Sequence, residues 1–299
     1  MKALVIGGDG SIGSALTKAL LSRGDTVCQT TRRSVLAERN AIQLDLASFA
    51  IDAIQLPEAD VAYFCAAITS FAACRTNEGL ARQVNVTTPT LLARRLVAAG
   101  TRVVLLSTSA VFDWRSPHVR ASRPPCPVTV YGKLKAEAET AFSAFGAAAS
   151  ILRLTKVLTP GDSLFNNWID DLRQEKSVTA FSDHHMAPVT LSDAVAALLA
   201  ISRSSEGGIF QISAAHDVSY YEAALHLASH LGAERHRVIE ARASKNGVLP
   251  EEIIRYSSLE TSRIGALTGW KAPDPYSVID QVFRERFNAL RAGAPAGRP

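Results

Sequence analysis

Cysteine is scarce in this chain: Cys28, Cys65, Cys74 and Cys126 are its only thiols, and no two of them form a C-x-x-C pair. That argues against a disulfide framework and for reduced thiols in a cytoplasmic enzyme. There is no run of five or six like charges, because the net charge of +4 is spread along the sequence. A nucleic-acid groove has no support, and a mild preference for anionic ligands is all that the charge allows. No apolar stretch approaches the ~20 residues that span a bilayer; runs such as Ala194 to Ile201 are far shorter. A strand starts at once and glycines arrive by Gly7, so no signal peptide is expected. Neither an internal repeat nor the G-x-S-x-G elbow of a serine hydrolase occurs. With 299 residues, 47% hydrophobic and 20% charged, the chain is long and apolar enough for one large core or two smaller ones.

What is present begins with Ala3, Leu4, Val5 and Ile6, a β-prone apolar run followed by Gly7-Gly8-Asp9-Gly10-Ser11-Ile12-Gly13. Apolar residues at helical spacing follow, Ile12, Ala15, Leu16, Ala19 and Leu20, until Gly24 closes the segment. Strand, glycine turn and helix in that order are the context of a dinucleotide site. Glycines let the backbone approach a pyrophosphate, and the amides and dipole of the helix start favour its charge. Gly7, Gly10, Ser11, Ile12 and Gly13 are the expected contacts. Both G-x-G-x-x-G and G-x-x-G-x-x-G fit, and Ser14 stands where a Walker A loop needs lysine.

The second strand, Thr26 to Thr30, ends at Thr31-Arg32-Arg33, and no Asp or Glu lies between Thr26 and Ala37. An acidic residue about 20 positions beyond the glycines would hold the ribose 2′-hydroxyl of NAD. Two guanidiniums there suit a 2′-phosphate instead. NADP is therefore the expected cofactor, with NAD possible.

Strands then alternate with helices: Ile42 to Leu46, Asp60 to Cys65, a helix from Gly79 to Ala98, Arg102 to Ser107, a helix from Tyr131 to Phe145, and Ser150 to Thr155. That pattern predicts an α/β fold with a parallel, doubly wound sheet. Ligands bind such a sheet beyond the carboxyl ends of its strands, where Asp45, Ala66-Ala67, Thr108 and Thr155 fall.

Tyr131 and Lys135 lie one helical turn apart and project from one face. A free phenol titrates near ~10 and a lysine near ~10.4. An ammonium held beside the phenol would lower the tyrosine into the range of a neutral acid/base.

These features together resemble the short-chain dehydrogenase/reductase superfamily in its extended branch. The residues that carry the likeness are Gly7-x-x-Gly10-x-x-Gly13, Asp45-Leu46, Cys65-Ala66-Ala67, Asn85, Ser107-Thr108-Ser109-Ala110-Val111-Phe112 and Tyr131-x-x-x-Lys135. Ser107, Thr108, Val111 and Phe112 resemble the strand-end pattern of the dTDP-4-dehydrorhamnose reductase group. The resemblance implies that Tyr131 protonates a carbonyl oxygen as hydride arrives, that Thr108 bonds the same oxygen, and that Lys135 holds the nicotinamide ribose. It also implies that Asp45 and Leu46 bracket the adenine, that Ala66 and Ala67 pass the ribose and phosphates, and that Asn85, at a helix start, fixes neighbouring backbone. Ser109, Cys65 and Lys156 depart from the common pattern, which bears on the substrate more than on the cofactor.

A Rossmann domain is expected over residues 1–156, a smaller interleaved substrate-binding region over 157–290, and a mobile tail over 291–299. Within the second region the pattern predicts helices Phe165 to Arg173, Ser192 to Ile201 capped by Ser192, Tyr220 to Leu231 and Val278 to Leu290, and a strand Ile209 to Ile212. Asn166, Asn167, Trp168, His184 and His185 are candidates to face a nucleotide sugar, beside an ordinary loop or half-buried role. His226 and His230 sit at i and i+4, yet Leu227 occupies the place of a zinc hydrolase's glutamate and no Cys or carboxylate near them completes a ligand set. No metal is expected. The favoured activity is NADPH-dependent reduction of a nucleotide-activated 4-keto-6-deoxy sugar. The alternatives are an NAD-dependent sugar-nucleotide epimerase or dehydratase, and a non-catalytic NADP-binding regulator. The resemblance also carries a homodimer.

Overall fold

The structure is a computed structural model that describes residues 1–33, 41–48 and 54–293, with the side chains of 288–293 left aside. Its first half runs β1 (Lys2–Ile6), α1 (Ser11–Ser22), β2 (Thr26–Thr31), β3 (Ala41–Gln43), β4 (Val61–Phe64), α2 (Phe71–Thr76), α3 (Glu78–Arg82), α4 (Thr88–Ala98), β5 (Arg102–Thr108), α5 (Val130–Ser143) and β6 (Ala149–Leu154). The second half runs β7 (Val157–Leu158), α6 (Ser163–Arg173), β8 (Val178–Phe181), β9 (His185–Met186), β10 (Val189–Thr190), α7 (Leu191–Arg203) and β11 (Gly208–Ile212). It ends with β12 (Val218–Ser219), α8 (Tyr220–Leu231), β13 (Val238–Ala241), α9 (Ser262–Thr268) and α10 (Pro275–Gly293).

Seven strands form one sheet in the order β11-β6-β5-β4-β1-β2-β3, and every pairing is parallel. The expected doubly wound sheet is thus observed. Strand order reverses between β1 and β4, which opens a crevice beyond their carboxyl ends. One apolar core, including Leu4, Phe64, Leu92, Leu105 and Phe142, lies under α4 and α5. The opposite core, including Val5, Leu16, Val104, Leu198 and Phe210, lies under α1 and α7. β11 and α7 come from the second half of the chain and complete the sheet's edge and its second face. A third core joins Phe165, Trp168, Met186, Leu227 and Phe283 away from the sheet, beside the short pairs β8–β13 and β9–β12.

Several elements differ from their sequence outline for identifiable reasons. The helix expected over Gly79 to Ala98 is interrupted by a π turn at Gln83–Thr87. Pro89 has no N–H to give the Asn85 carbonyl, so the regular i to i−4 ladder fails there and the turn widens. α7 is capped by Thr190, not Ser192: Thr190 and Asp193 bond each other's backbone in a reciprocal capping box. The third strand stops at Gln43, which frees Leu44 to Leu46 to line the crevice. α10 continues through Gly293, so residues 291–293 of the expected tail are helical, and 294–299 lie outside the described residues. Among the described residues no helix is long and apolar enough to cross a membrane.

Candidate active site

A cavity of about 500 Å³ occupies the switch-point crevice. Gly7 and Gly10 line it after β1, Arg32 after β2, Asp45 and Leu46 after β3, and Ala66 and Ala67 after β4. Gly7 adopts φ +92°, and a Cβ there would meet the Ala66 backbone nitrogen at 2.7 Å. A Cβ on Gly13 would come within 2.1 Å of the Gly7 carbonyl oxygen, so that glycine lets α1 close onto the turn. Gly10 is the N-cap of α1, makes no side-chain cap, and has nothing nearer a Cβ than the Gly7 oxygen at 3.5 Å. The first-turn amides at Ser11, Ile12 and Gly13 thus begin a helix whose positive end opens beside the cavity.

Arg32 and Arg33 are both exposed, but only Arg32 lines the cavity. Asp9 lines it too, and its carboxylate accepts a hydrogen bond from the Thr31 hydroxyl. The Arg32 rim therefore carries a negative group that sequence spacing from β2 did not bring into view. Asn85 sits in the π turn, not at a helix start. Its amide accepts from Ile68 N at 2.8 Å and donates to Ile68 O at 2.9 Å, which fixes the loop just after Ala66-Ala67. Thr155 does not line the cavity; its hydroxyl donates to the Ala187 carbonyl and ties β6 to the segment before β10.

Tyr131 and Lys135 rise from α5, whose N-cap Thr129 accepts from Gly132 N at 3.0 Å. Gly132 has a role that the Tyr-x-x-x-Lys spacing hides. A Cβ there would stand 2.0 Å from the Ala110 carbonyl oxygen, so only glycine lets α5 press against the turn that follows β5. The Tyr131 phenol consequently stands close enough to Thr108 for that hydroxyl to act on its ionisation. Lys135 Nζ donates to the Leu106 carbonyl at 2.5 Å. Cys65, a cavity-lining residue, is close enough to Lys135 for the two charges to influence each other.

The electrostatics correct one expectation. Burial pushes the Tyr131 phenol above its ordinary range, and the Thr108 hydroxyl beside it opposes this only in part. The Lys135 ammonium is turned to the Leu106 carbonyl, and burial sets the direction of the phenol's shift. Burial lowers Lys135 itself to about 8, with Glu139 pulling the other way. The tyrosine is held as a protonated donor, not as a phenolate. Cys65 is pushed up to about 12 by burial, so this thiol stays neutral.

Trp114, which the sequence reading passed over, is buried at φ +55°, and its indole Nε1 has no hydrogen-bond partner among the described residues. Its ring packs on Phe71 at 5.9 Å, and Phe71 packs on Tyr131 at 5.8 Å. Lys156 extends from the end of β6 to Asp162 at 2.7 Å. Trp168 is a core residue against Phe165 and so offers no stacking surface. Asn166 donates to the Pro160 carbonyl at 2.8 Å, and Asn167 is exposed. His184 accepts from Ile254 N at 3.1 Å, stacks on Tyr220 and is lowered by burial to about 4, while His185 lies 3.4 Å from the Ile254 carbonyl. Both histidines anchor a loop. Away from the crevice, His226 and His230 gain a carboxylate neighbour, Asp280 of α10, which lies 50 positions or more along the chain from either.

Comparison with known proteins agrees with this geometry. Residues 1–286 match the family described as RmlD substrate binding domain. A dTDP-4-dehydrorhamnose reductase of Mycobacterium tuberculosis is 28% identical over 280 residues, covering 90% of this chain and 87% of its own. The fold is shared with a dTDP-4-dehydrorhamnose reductase from Bacillus anthracis in complex with NADP, at TM-score 0.82 and 17% identity over 95% of this chain and 99% of that one. It is shared equally with a UDP-glucose 4-epimerase from Thermotoga maritima with UDP-glucose, at TM-score 0.79 and 17% identity over 96% and 99% of the two chains. A family match over nearly the whole length, on a parallel sheet with a glycine turn at its switch point and a Tyr131/Lys135 helix beside β5, has one meaning: the chain belongs to the RmlD substrate binding domain family, in the extended branch of the short-chain dehydrogenase/reductase superfamily.

Proposed function

We propose that the protein is an NADPH-dependent reductase of a carbonyl group on a nucleotide-activated 4-keto-6-deoxy sugar. The observation that carries this reading is the buried, protonated Tyr131 phenol beside Thr108 at the end of β5, with Lys135 one turn along and near Cys65 of the crevice wall, although Tyr131, Thr108 and Lys135 do not themselves line that crevice.

The crevice fits a dinucleotide. Gly10 leaves space at an uncapped helix start, and the small side chains of Ala66 and Ala67 line the same cavity. Asp45 and Leu46 flank the adenine end, and Arg32 offers its guanidinium to a 2′-phosphate, with Arg33 next to it. Bound there, a reduced nicotinamide supplies hydride to the carbonyl carbon.

The remaining chemistry belongs to the chain. Tyr131 gives its phenolic proton to the carbonyl oxygen as charge develops on it; a positioned general acid contributes about 10²–10⁴-fold. Thr108, beside that phenol, turns its one hydroxyl proton to the same oxygen when substrate is bound. Lys135 holds the ribose. A raised phenol pKa suits this direction, since the acid arrives protonated.

The substrate's sugar and nucleotide belong to the region 157–290. The mycobacterial relative's name supplies the substrate class. The same reading includes a cytoplasmic homodimer with its four free thiols reduced.

The test is loss of NADPH absorbance with a panel of 4-keto-6-deoxy sugar nucleotides. Tyr131→Phe should bind NADPH as the parent does and turn nothing over. Substrate-independent inertness of the parent protein, with NADPH tightly bound, would favour the regulator instead.

A further inference from the structure

His226 and His230 share one face of α8, being one turn apart. α10 lies along that face and presents Tyr276, Asp280 and Phe287 to it. Asp280 Oδ1 stands 2.6 Å from His226 Nε2 and 2.9 Å from His230 Nε2. The Tyr276 ring packs on His226 at 4.8 Å, and Phe287 stacks on His230 at 4.9 Å with 7° between planes. Both imidazoles are therefore clamped with Nε2 aimed at a common point. The three ligand atoms lie within 4.8 Å of one another.

Two imidazole nitrogens and one carboxylate oxygen are a donor set for a late first-row divalent ion, zinc foremost. Ligand atoms around tetrahedral zinc stand ~3.3 Å apart, given bonds of ~2.0 Å. The two imidazole–carboxylate separations are those of hydrogen bonds and open by about half an ångström when a metal replaces the bridging protons, while the two imidazole nitrogens, within 4.8 Å of each other, draw together around the ion. Asp280 is 40% exposed and the histidines 21% and 27%, which leaves an entry path and room for water as the fourth ligand.

We propose that His226, His230 and Asp280 form a zinc(II) site that clips the C-terminal helix α10 to α8. None of the three serves the crevice, so the site stands or falls apart from the reductase reading. Its role is to lock the third core, where α8 and α10 meet through Leu227 and Phe283.

The test uses the full chain without a histidine tag, stripped of metal and titrated calorimetrically with zinc chloride. A single saturable site is expected, with cobalt(II) giving the visible bands of tetrahedral coordination. His226→Gln and Asp280→Asn should each weaken binding at least about tenfold and cancel the rise in Tm that zinc gives the parent. Histidine carbethoxylation of the parent, slowed by zinc, reads the same site without any variant. No saturable binding, or a zinc-induced rise in Tm that survives in either folded variant, would overturn the proposal.

Discussion

Arg153 clasps both carboxylate oxygens of Glu139, Nε to Oε1 at 2.9 Å and Nη2 to Oε2 at 2.7 Å, with the guanidinium fully buried. Ser107 adds a third bond to Oε1 at 2.5 Å. β6, α5 and β5 are thus joined directly behind Lys135 and Thr108. Removing one partner of a buried pair strands the other charge at a cost of about 3–5 kcal/mol, whereas a well-packed apolar pair is often tolerated. Glu139→Gln should therefore lose much of that stability in urea unfolding. The double variant Arg153→Met with Glu139→Leu should be more stable than the single one, and an equal or greater loss would remove the stranded-charge explanation.

Burial holds Lys135 at about 8, and the same carboxylate opposes that shift only in part. If catalysis needs the ammonium, kcat/KM should fall as pH rises through about 8. Stability moves oppositely. Between 8 and the ordinary 10.5 the unfolded chain binds the proton that the folded one has lost, so the Lys135 contribution grows more favourable across that window. Comparing parent and Lys135→Met by urea unfolding from pH 8 to 10.5 isolates the slope. Parallel curves would mean that the lysine titrates normally.

The sheet and the glycine turn were legible in the sequence because each depends on local pattern: short continuous apolar runs, Gly7 to Gly13, and the Tyr131/Lys135 spacing. What was hidden depends on contacts between distant segments. Thr155 looked like a crevice residue by its place after β6, but its hydroxyl turns to Ala187. Trp168 looked available for stacking, and the core of α6, α8 and α10 claims it. The phenol's direction of shift was misjudged because spacing puts Lys135 near Tyr131 but cannot show the ammonium turned to Leu106 or the burial that sets the shift. Asp280 reaches the histidines only through the packing of α10.

Cofactor choice should rest on one guanidinium more than the other. Arg32 lines the cavity and Arg33 does not, so Arg32→Ala should weaken NADPH by about tenfold or more, the loss of one charge-assisted pair. Arg33→Ala should cost less, and neither should alter NADH much. Fluorescence titration with both nucleotides decides it; equal losses for NADPH and NADH would dissociate Arg32 from the 2′-phosphate.

Two glycines of different purpose offer the sharpest separation of binding from chemistry. At Gly13 an added methyl meets the Gly7 carbonyl oxygen at 2.1 Å, and at Gly132 it meets the Ala110 carbonyl oxygen at 2.0 Å. Neither backbone can yield without moving its element, because both obstacles are main-chain atoms. Gly13→Ala therefore pushes α1 from the phosphate turn, and NADPH binding should fail. Gly132→Ala instead lifts α5 from the end of β5 and breaks the Tyr131–Thr108 alignment. A misplacement near 1 Å costs about 10²-fold in rate, so kcat should fall by that order while NADPH affinity changes far less. If Gly132→Ala lost cofactor affinity and turnover in equal measure, the glycine would be shaping the dinucleotide site and not the proton donor.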